Sequence, residues 1–154
     1  MRPRLLFLDI DGVLNNDASL AEGIHLINDK LVMLRVFCDE VDCEIVISSS
    51  WRILHSLQEM KEILYRAGFC CRTRIIGVTP QTRKSDPDFL EKGWERGYEI
   101  EKWLHQQTED YNYAILDDTP DMLDYQKSRF IHVDGAIGLT TRNINELRKI
   151  FLGE

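Results

Sequence analysis

The chain of 154 residues has 44% hydrophobic residues, 29% charged residues and a formal net charge of −7. A chain of this length can bury most of its apolar surface in one core without disulfides or metals, so we expect a single domain over residues 1–154. The acidic balance argues against a protein that coats nucleic acid through a general positive field. The apolar run before Asp9 is too short for a signal peptide or a membrane span, which predicts a cytoplasmic protein with no membrane partner.

Short apolar segments along the chain predict the strands of one sheet. Three of them, "LLFLDI", "EIVIS" and "YAILDD", are continuous apolar runs, as expected for parallel strands that are covered on both faces. The complete set of predicted strands is 4–9, 43–48, 74–78, 113–116 and 129–133.

Helical patterns lie between the predicted strands. One helix starts at Asn28 as a possible N-cap and runs to Val41, and a second ends at Gly68. The last helix offers Asn143 and Glu146 as a pair resembling a capping box. The predicted helices cover 28–41, 55–67, 98–107 and 143–152. Alternating strands and helices predict an α/β fold with a mostly parallel sheet of about five strands.

Polar groups follow three of the apolar strands at the point where each strand ends. Ligands of open parallel sheets bind at the carboxyl ends of the strands, near a switch in strand order. One site is therefore expected to gather the residues that end these strands, which are Asp9 and Asp11, Ser48, Ser49 and Ser50, and Asp117 and Asp118.

The two carboxylates of "DID" suggest metal-assisted phosphoryl transfer. Asp9 and Asp11 point to the same side of an extended backbone, and Gly12 allows a sharp exit from the strand. With Asp117 or Asp118 nearby, the repulsion between carboxylates implies a cation, and an all-oxygen ligand set suits Mg²⁺. Asp9 could then attack phosphorus while Asp11 moves the proton, with a serine hydroxyl and a cationic side chain on the phosphoryl oxygens.

Three motifs in order resemble the haloacid dehalogenase-like (HAD) superfamily: "FLDIDGVLN", "IVISSSW" and "AILDDTPD". The resemblance implies a three-layer Rossmann-like fold and a phosphatase with Asp9 as nucleophile and metal ligand. It makes Asp11 the general acid/base, with its backbone carbonyl on the metal. It further implies that Ser48, with Ser49 close behind, binds phosphate, and that Mg²⁺ is held by Asp117 and Asp118 with support from Asp121.

The third motif of this superfamily, a lysine or arginine, has several candidates. Arg96 is the best placed because it precedes the helix that leads into the "LDD" strand, with Lys92 and Lys84 as fallbacks. The alternative for Arg96 is an exposed arginine at a helix start. Little sequence is left for a cap domain, so a minimal cap or none is expected.

Four segments resemble, more narrowly, the small HAD domains of RNA repair proteins and, distantly, the 3′-phosphatase domain of phage polynucleotide kinase: "DIDGVLN", "SSSWR", "RGYEIEKWL" and "LDDTPDM". This resemblance implies a phosphorylated substrate such as an RNA or DNA 3′ end or a nucleotide, and a repair ligase or kinase as partner. Arg52 could bind a second phosphate. Trp51 could stack on a base, although a core position is favoured, as it is for Trp94 and Trp103.

Alternatives from other classes stay open on the sequence alone. A receiver-like module would carry an aspartyl-phosphate without turnover, but in receivers the acidic pair and the phosphoacceptor come in a different order. A pseudo-enzyme that binds nucleotides or RNA ends and a phosphatase of small metabolites are the others. Four basic residues between 72 and 84, Arg72, Arg74, Arg83 and Lys84, are better explained as a solvated face than as a nucleic-acid site.

Overall fold

A computed structural model describes residues 1–82, 85 and 95–153. Its sheet contains five parallel strands, which confirms the predicted α/β class. The strands are β1 (Arg4–Leu8), β2 (Cys43–Ile47), β3 (Ile75–Val78), β4 (Asn112–Asp117) and β5 (Phe130–His132).

The strand order is β3-β2-β1-β4-β5. The strands β2 and β3 follow one another on one side of β1, and β4 and β5 follow on the other side of β1. Leu8 at the end of β1 is aligned with Ile47 of β2 and with Leu116 of β4. The reversal of strand order therefore falls between β1 and β4, and open sheets of this kind bind ligands at that point.

The helices of the described chain are α1 (Asp17–Ala21), α2 (Asn28–Val41), α3 (Leu57–Leu64), α4 (Arg96–His105) and α5 (Thr141–Leu152). Leu6 and Leu8 of β1 face a core formed with α2, α3 and α5. Leu5 and Phe7 face the opposite core with α4, where Trp103 packs edge-on against Phe7. The alternation along β1 thus separates two apolar layers, and the fold has three layers as predicted.

Two predicted helix starts are wrong. Asn28 is the first residue of α2, Ile27 is its N-cap without a side-chain hydrogen bond, and the Asn28 amide donates to the Ala67 carbonyl at 2.9 Å. The capping box of α5 is formed by Thr140 and Asn143, three residues before the predicted pair. For α5 the polar residues allowed more than one cap, whereas the N-cap of α2 is a residue that no polar pattern marks.

The predicted second helix is shorter than its apolar pattern suggests. Ser56 and Glu59 form a capping box at its start, and α-helical geometry ends at Leu64. A π-helical turn over Tyr65–Phe69 follows, in which Gly68 has a φ of 127°. Gly68 therefore ends the element through a positive φ, but one turn later than the last regular residue.

In residues 1–82, 85 and 95–153, the segments around the sheet form only a minimal cap, as expected. The stretch after β1, predicted as a loop, contains the short helix α1, which Asn16 and Ser19 begin with a capping box. In the described part of the chain, no helix has the length and apolar character that a membrane span requires.

The basic residues between 72 and 84 are explained in part. Arg72 pairs with Glu62, and Arg74 with Asp39 and Asp42, both at the amino-terminal edge of the sheet. Arg74 thus lies in a 3₁₀ turn before β3 and not in the strand, whereas Arg83 and Lys84 lie outside the described residues.

Candidate active site

Three aspartates converge where β1 and β4 end. One carboxylate oxygen each of Asp9, Asp117 and Asp118 lies within 4.8 Å of the other two. Asp9 is 5% exposed and Asp117 1% exposed, since Asp9 directly follows the buried strand β1 and Asp117 is the last residue of β4. Buried carboxylates at this spacing require a proton, a cationic side chain or a metal ion between them.

Arg96 supplies one such cation. Its Nη1 lies 2.9 Å from Asp9 Oδ1 and 3.0 Å from Asp117 Oδ2, and it also donates to the Ser48 carbonyl at 2.7 Å. A single guanidinium nitrogen thus joins the ends of β1, β2 and β4. This is the position predicted for the third motif, whereas the fallbacks Lys84 and Lys92 lie outside the described residues.

The pKa values of these groups are strongly shifted. Burial raises the pKa of Asp9, the charge of Asp117 raises it further, and Arg96 opposes both. Burial likewise raises the pKa of Asp117 against the effect of Arg96. For Arg96, burial lowers the pKa, but Asp9 and Asp117 outweigh it and the pKa is raised, so the guanidinium stays charged. Burial thus favours the protonated forms of Asp9 and Asp117, and when all three carboxylates are ionised the single guanidinium leaves two formal negative charges in the cluster.

The start of α4 is held by the segment that follows β4. Asp121 Oδ2 accepts a hydrogen bond from the Arg96 backbone N–H at 3.0 Å, and the Asp121 carbonyl accepts one from Gly97 N–H at 3.1 Å. A Cβ on Gly97 would meet Gln126 Oε1 at 2.6 Å and the Leu123 nitrogen at 2.8 Å. Asp121, predicted to support the metal ligands, therefore positions the helix that carries Arg96.

Asp11 is not a member of the aspartate cluster and has hydrogen-bond partners of its own. Its Oδ1 accepts hydrogen bonds from Asn15 Nδ2 at 2.9 Å and from the indole Nε1 of Trp51 at 3.1 Å. Asn15 is fully buried, accepts from the Gly12 N–H at 2.8 Å and donates to the His25 carbonyl at 2.8 Å. Asn15 thus fixes the turn after β1 and the carboxylate together.

Gly12 makes room for a metal-ligand candidate as well as a turn. Its φ is +80°, and a Cβ there would meet Asp118 Oδ2 at 2.2 Å. A Cβ on Gly135 would meet the same oxygen at 2.8 Å. The half-buried Asp118 therefore lies in a slot that two glycines leave open.

The serines after β2 differ in their surroundings. Ser48 Oγ is buried and has no hydrogen-bond partner among the described residues. Ser49 is also buried, but its Oγ accepts the Trp51 backbone N–H at 3.2 Å and caps the 3₁₀ turn Ser50–Ile53. Ser50 is exposed.

Arg52 is engaged inside the protein. Its Nη2 lies 2.7 Å from Glu99 Oε1, its Nη1 donates to the Ser49 carbonyl at 2.7 Å, and both side chains of this ion pair are under 10% exposed. Glu99 Oε2 also accepts the Thr82 N–H at 2.7 Å. The ion pair of Arg52 and Glu99 therefore connects the turn after β2 to α4. Phosphate binding by Arg52 stays a prediction.

Trp51 is half-buried, so it is neither a fully buried core residue nor a fully exposed ring for stacking. One part packs against the larger core, while the indole N–H contacts Asp11. Trp103 is buried as predicted, and Trp94 lies outside the described residues.

A comparison with protein families agrees with the fold and the carboxylate cluster, which together define an HAD-type domain. The family described as the HAD domain in Swiss Army Knife RNA repair proteins matches residues 5–144. The chain therefore belongs to this family, as its motifs suggested. Neither the curated proteins nor the solved structures include a match.

The structure brings together most of the site residues expected from the sequence and adds others. Asp9, Arg96, Asp117 and Asp118 form one cluster, and Ser48 is joined to it through its carbonyl. Sequence reasoning missed Asn15, Gly97 and Glu99. A polar residue within the apolar "GVLN" was a signal for Asn15, but the partner of Glu99 is 47 residues away and leaves no local signal.

Proposed function

We propose that the protein is a Mg²⁺-dependent phosphatase that removes a 3′-phosphate from an RNA end through an aspartyl-phosphate on Asp9. The observation that carries the proposal is the buried cluster of Asp9, Asp117 and Asp118 with Arg96 at the switch point of the sheet. The RNA substrate follows from membership in a family of RNA repair domains.

The cluster fits a magnesium ion. All donors are carboxylate oxygens, and the two surplus negative charges match a divalent cation. The proposed ligands are Asp9, Asp117 and Asp118, with the backbone carbonyl of Asp11. When bound, Mg²⁺ would offset the repulsion between the carboxylate nucleophile and the phosphate.

Asp9 and Asp11 would divide the chemistry between them. A carboxylate oxygen of Asp9 attacks phosphorus, and the bond from phosphorus to the 3′ oxygen breaks as the carboxylic acid of Asp11 gives that oxygen its proton. Asp11, now ionised, takes a proton from water, whose oxygen attacks the aspartyl-phosphate. Inorganic phosphate leaves and Asp9 is regenerated. The exposed position of Asp11 and its separate hydrogen-bond partners support a role distinct from that of Asp9.

Neutral and cationic donors would hold the phosphoryl oxygens during transfer. The hydroxyl of Ser48 is the proposed donor from β2, because it is buried next to the cluster and lacks a partner among the described residues. Arg96 would stabilise the added negative charge next to the buried Asp9 carboxylate. We propose that residues 1–154 form a single phosphatase domain, to which all of these groups belong.

The test is release of inorganic phosphate from a 3′-phosphorylated RNA oligonucleotide with and without Mg²⁺, comparing the wild type with Asp9→Asn. This isosteric variant removes the nucleophile and preserves the size of the side chain. We expect Mg²⁺-dependent release by the wild type and a loss of at least 1,000-fold in the variant, as for other removals of a nucleophile.

The substrate panel separates the alternatives. Release from ribose 5-phosphate and not from oligonucleotides would contradict the RNA end and favour a metabolite phosphatase. No release from any substrate, together with a stable aspartyl-phosphate after treatment with acetyl phosphate, would favour a receiver-like module.

A further inference from the structure

A cavity of about 630 Å³ opens beside the candidate site, on the side of Asp11. It lies between the segment after β1, which provides Leu20 and His25, and the turn after β2. The wall from that turn is formed by Ser50, Trp51, Leu54 and His55. The volume falls within the range of about 300–1,000 Å³ that small-molecule sites occupy.

The lining is aromatic and apolar. The rings of Trp51 and His55 are 5.9 Å apart and inclined by 46°, and the side chain of Leu54 is 82% exposed. Among the described residues that line the cavity, Asp11 is the one acidic side chain, and no lysine or arginine is present. Such a wall suits an uncharged planar ring better than a phosphate or a charged peptide.

The location of Asp11 indicates what the cavity receives. This step rests on the proposed function, in which Asp11 protonates the oxygen that leaves phosphorus. The group attached to that oxygen must then lie next to Asp11, and Asp11 is one of the residues that line the cavity. For a 3′-phosphate the attached group is the terminal nucleoside.

We propose that the cavity binds the base of the terminal nucleotide, stacked on Trp51, and that stacking makes the enzyme require a base without selecting which one. Every base offers a π face, and stacking on an aromatic side chain depends little on sequence. The indole N–H of Trp51 holds Asp11 Oδ1 at 3.1 Å, so the same side chain positions the proposed acid and contacts the base.

The experiment compares 3′-phosphorylated RNA oligonucleotides that end in each of the four bases with one whose terminal ribose has no base. We expect kcat/KM of the wild type to vary less than threefold among the bases. Loss of the base should lower kcat/KM roughly tenfold to a hundredfold, mainly through KM, as is typical of one stacked base. Equal turnover of the abasic substrate would overturn the proposal.

Substitutions at the wall give a second readout, the ratio of kcat/KM with and without the base. Trp51→Ala should bring this ratio close to one, whereas Trp51→Phe should retain much of it although the hydrogen bond to Asp11 is lost. Leu54→Ala, at an exposed position that cannot affect the core, should lower the ratio by a smaller factor. Val36→Ala is the matched control, because Val36 is 59% exposed on α2 and does not line the cavity.

Binding distinguishes this proposal from the proposed function. Fluorescence anisotropy of labelled oligonucleotides with the Asp9→Asn protein measures affinity without turnover. If this variant binds the substrates with a base more tightly and the wild type releases no phosphate, the result would contradict phosphatase activity and support the base site. Equal binding of all substrates by an active enzyme would contradict the base site alone.

Discussion

Neighbouring residues of the same type have different surroundings at this site. Ser48 and Ser49 follow β2 directly and both are buried, yet the Oγ of Ser49 accepts a backbone N–H whereas the Oγ of Ser48 has no partner in the described chain. A buried hydroxyl without a partner carries a free-energy cost, so its retention is consistent with a ligand.

Substitution by alanine is therefore expected to affect activity at Ser48 and stability at Ser49. Ser48→Ala should lower the rate of phosphate release about 10- to 100-fold and leave stability unchanged or slightly higher, because only an unpaired hydroxyl is lost. Ser49→Ala should lower the free energy of unfolding by about 1 kcal/mol through the lost cap. Urea denaturation and phosphate release, measured on both variants, check this; full activity of Ser48→Ala would contradict it.

At the scale of elements, contacts between distant segments assemble the site. Arg52 and Glu99 join the turn after β2 to α4, and Gly97 lets the start of α4 approach the segment after β4. Glu99 and Gly97 lie within three residues of Arg96, and Arg52 lies three residues after Ser49. The elements that carry the proposed phosphate ligands are thus held together by groups that need not touch the substrate.

If Arg52 is mainly a brace, its loss should affect stability. Glu99→Gln should lower the free energy of unfolding by about 3 to 5 kcal/mol, because an arginine is left buried without its charged partner. Adding Arg52→Gln should cost less than the sum of the two single changes. Urea denaturation of the three variants measures this coupling. A raised KM of Arg52→Gln with unchanged stability would instead support the predicted phosphate contact.

The close approach at Gly97 leads to a separate prediction. Gly97→Ala should lower the free energy of unfolding by about 1 to 3 kcal/mol, because the new methyl group meets the Leu123 backbone. Phosphate release should fall as well, since Arg96 is displaced with the helix start. Gly77→Ala is the control, because a Cβ there lies 3.4 Å from Trp103 Nε1, an ordinary contact. Thermal unfolding with equal effects in both variants would contradict the explanation.

For the molecule as a whole, the topology concentrates negative charge at one edge of the sheet. Two strands that are adjacent in space but far apart in the chain end in aspartates, and Arg96 offsets one of the three charges. An ion that neutralises the remainder binds the folded chain and not the unfolded one, so it should stabilise the fold.

Mg²⁺ is therefore expected to raise the melting temperature. At a concentration 100 times Kd the gain is about 2.7 kcal/mol, which corresponds to roughly 5–10 °C for a chain of this size. Asp118→Asn should reduce this gain. Asp110→Asn, at a side chain that is 84% exposed, should retain it. Differential scanning fluorimetry over a Mg²⁺ titration measures the shift, and the same melting temperature with and without Mg²⁺ would contradict a metal site.

The sequence by itself determined the fold class and the main site residues. Continuous apolar runs indicated buried parallel strands, and aspartates at their ends indicated where a site would form. These signals are local, because strand burial and side-chain direction depend on residues one or two positions apart. The starts of β1 and β2 and the meeting of Asp9 with Asp117 and Asp118 followed from them, whereas both strands end one residue earlier than predicted.

Only the tertiary structure decided which groups have partners. Arg52 and Ser48 both follow β2 and both were predicted to bind phosphate, but Glu99 pairs with the first while the second has no partner in the described chain. Likewise, Trp51 reaches Asp11 across 40 positions of sequence. Such contacts depend on how α4 and the turn after β2 pack on the sheet. The periodicity of residues within one segment carries no information about how two distant segments pack.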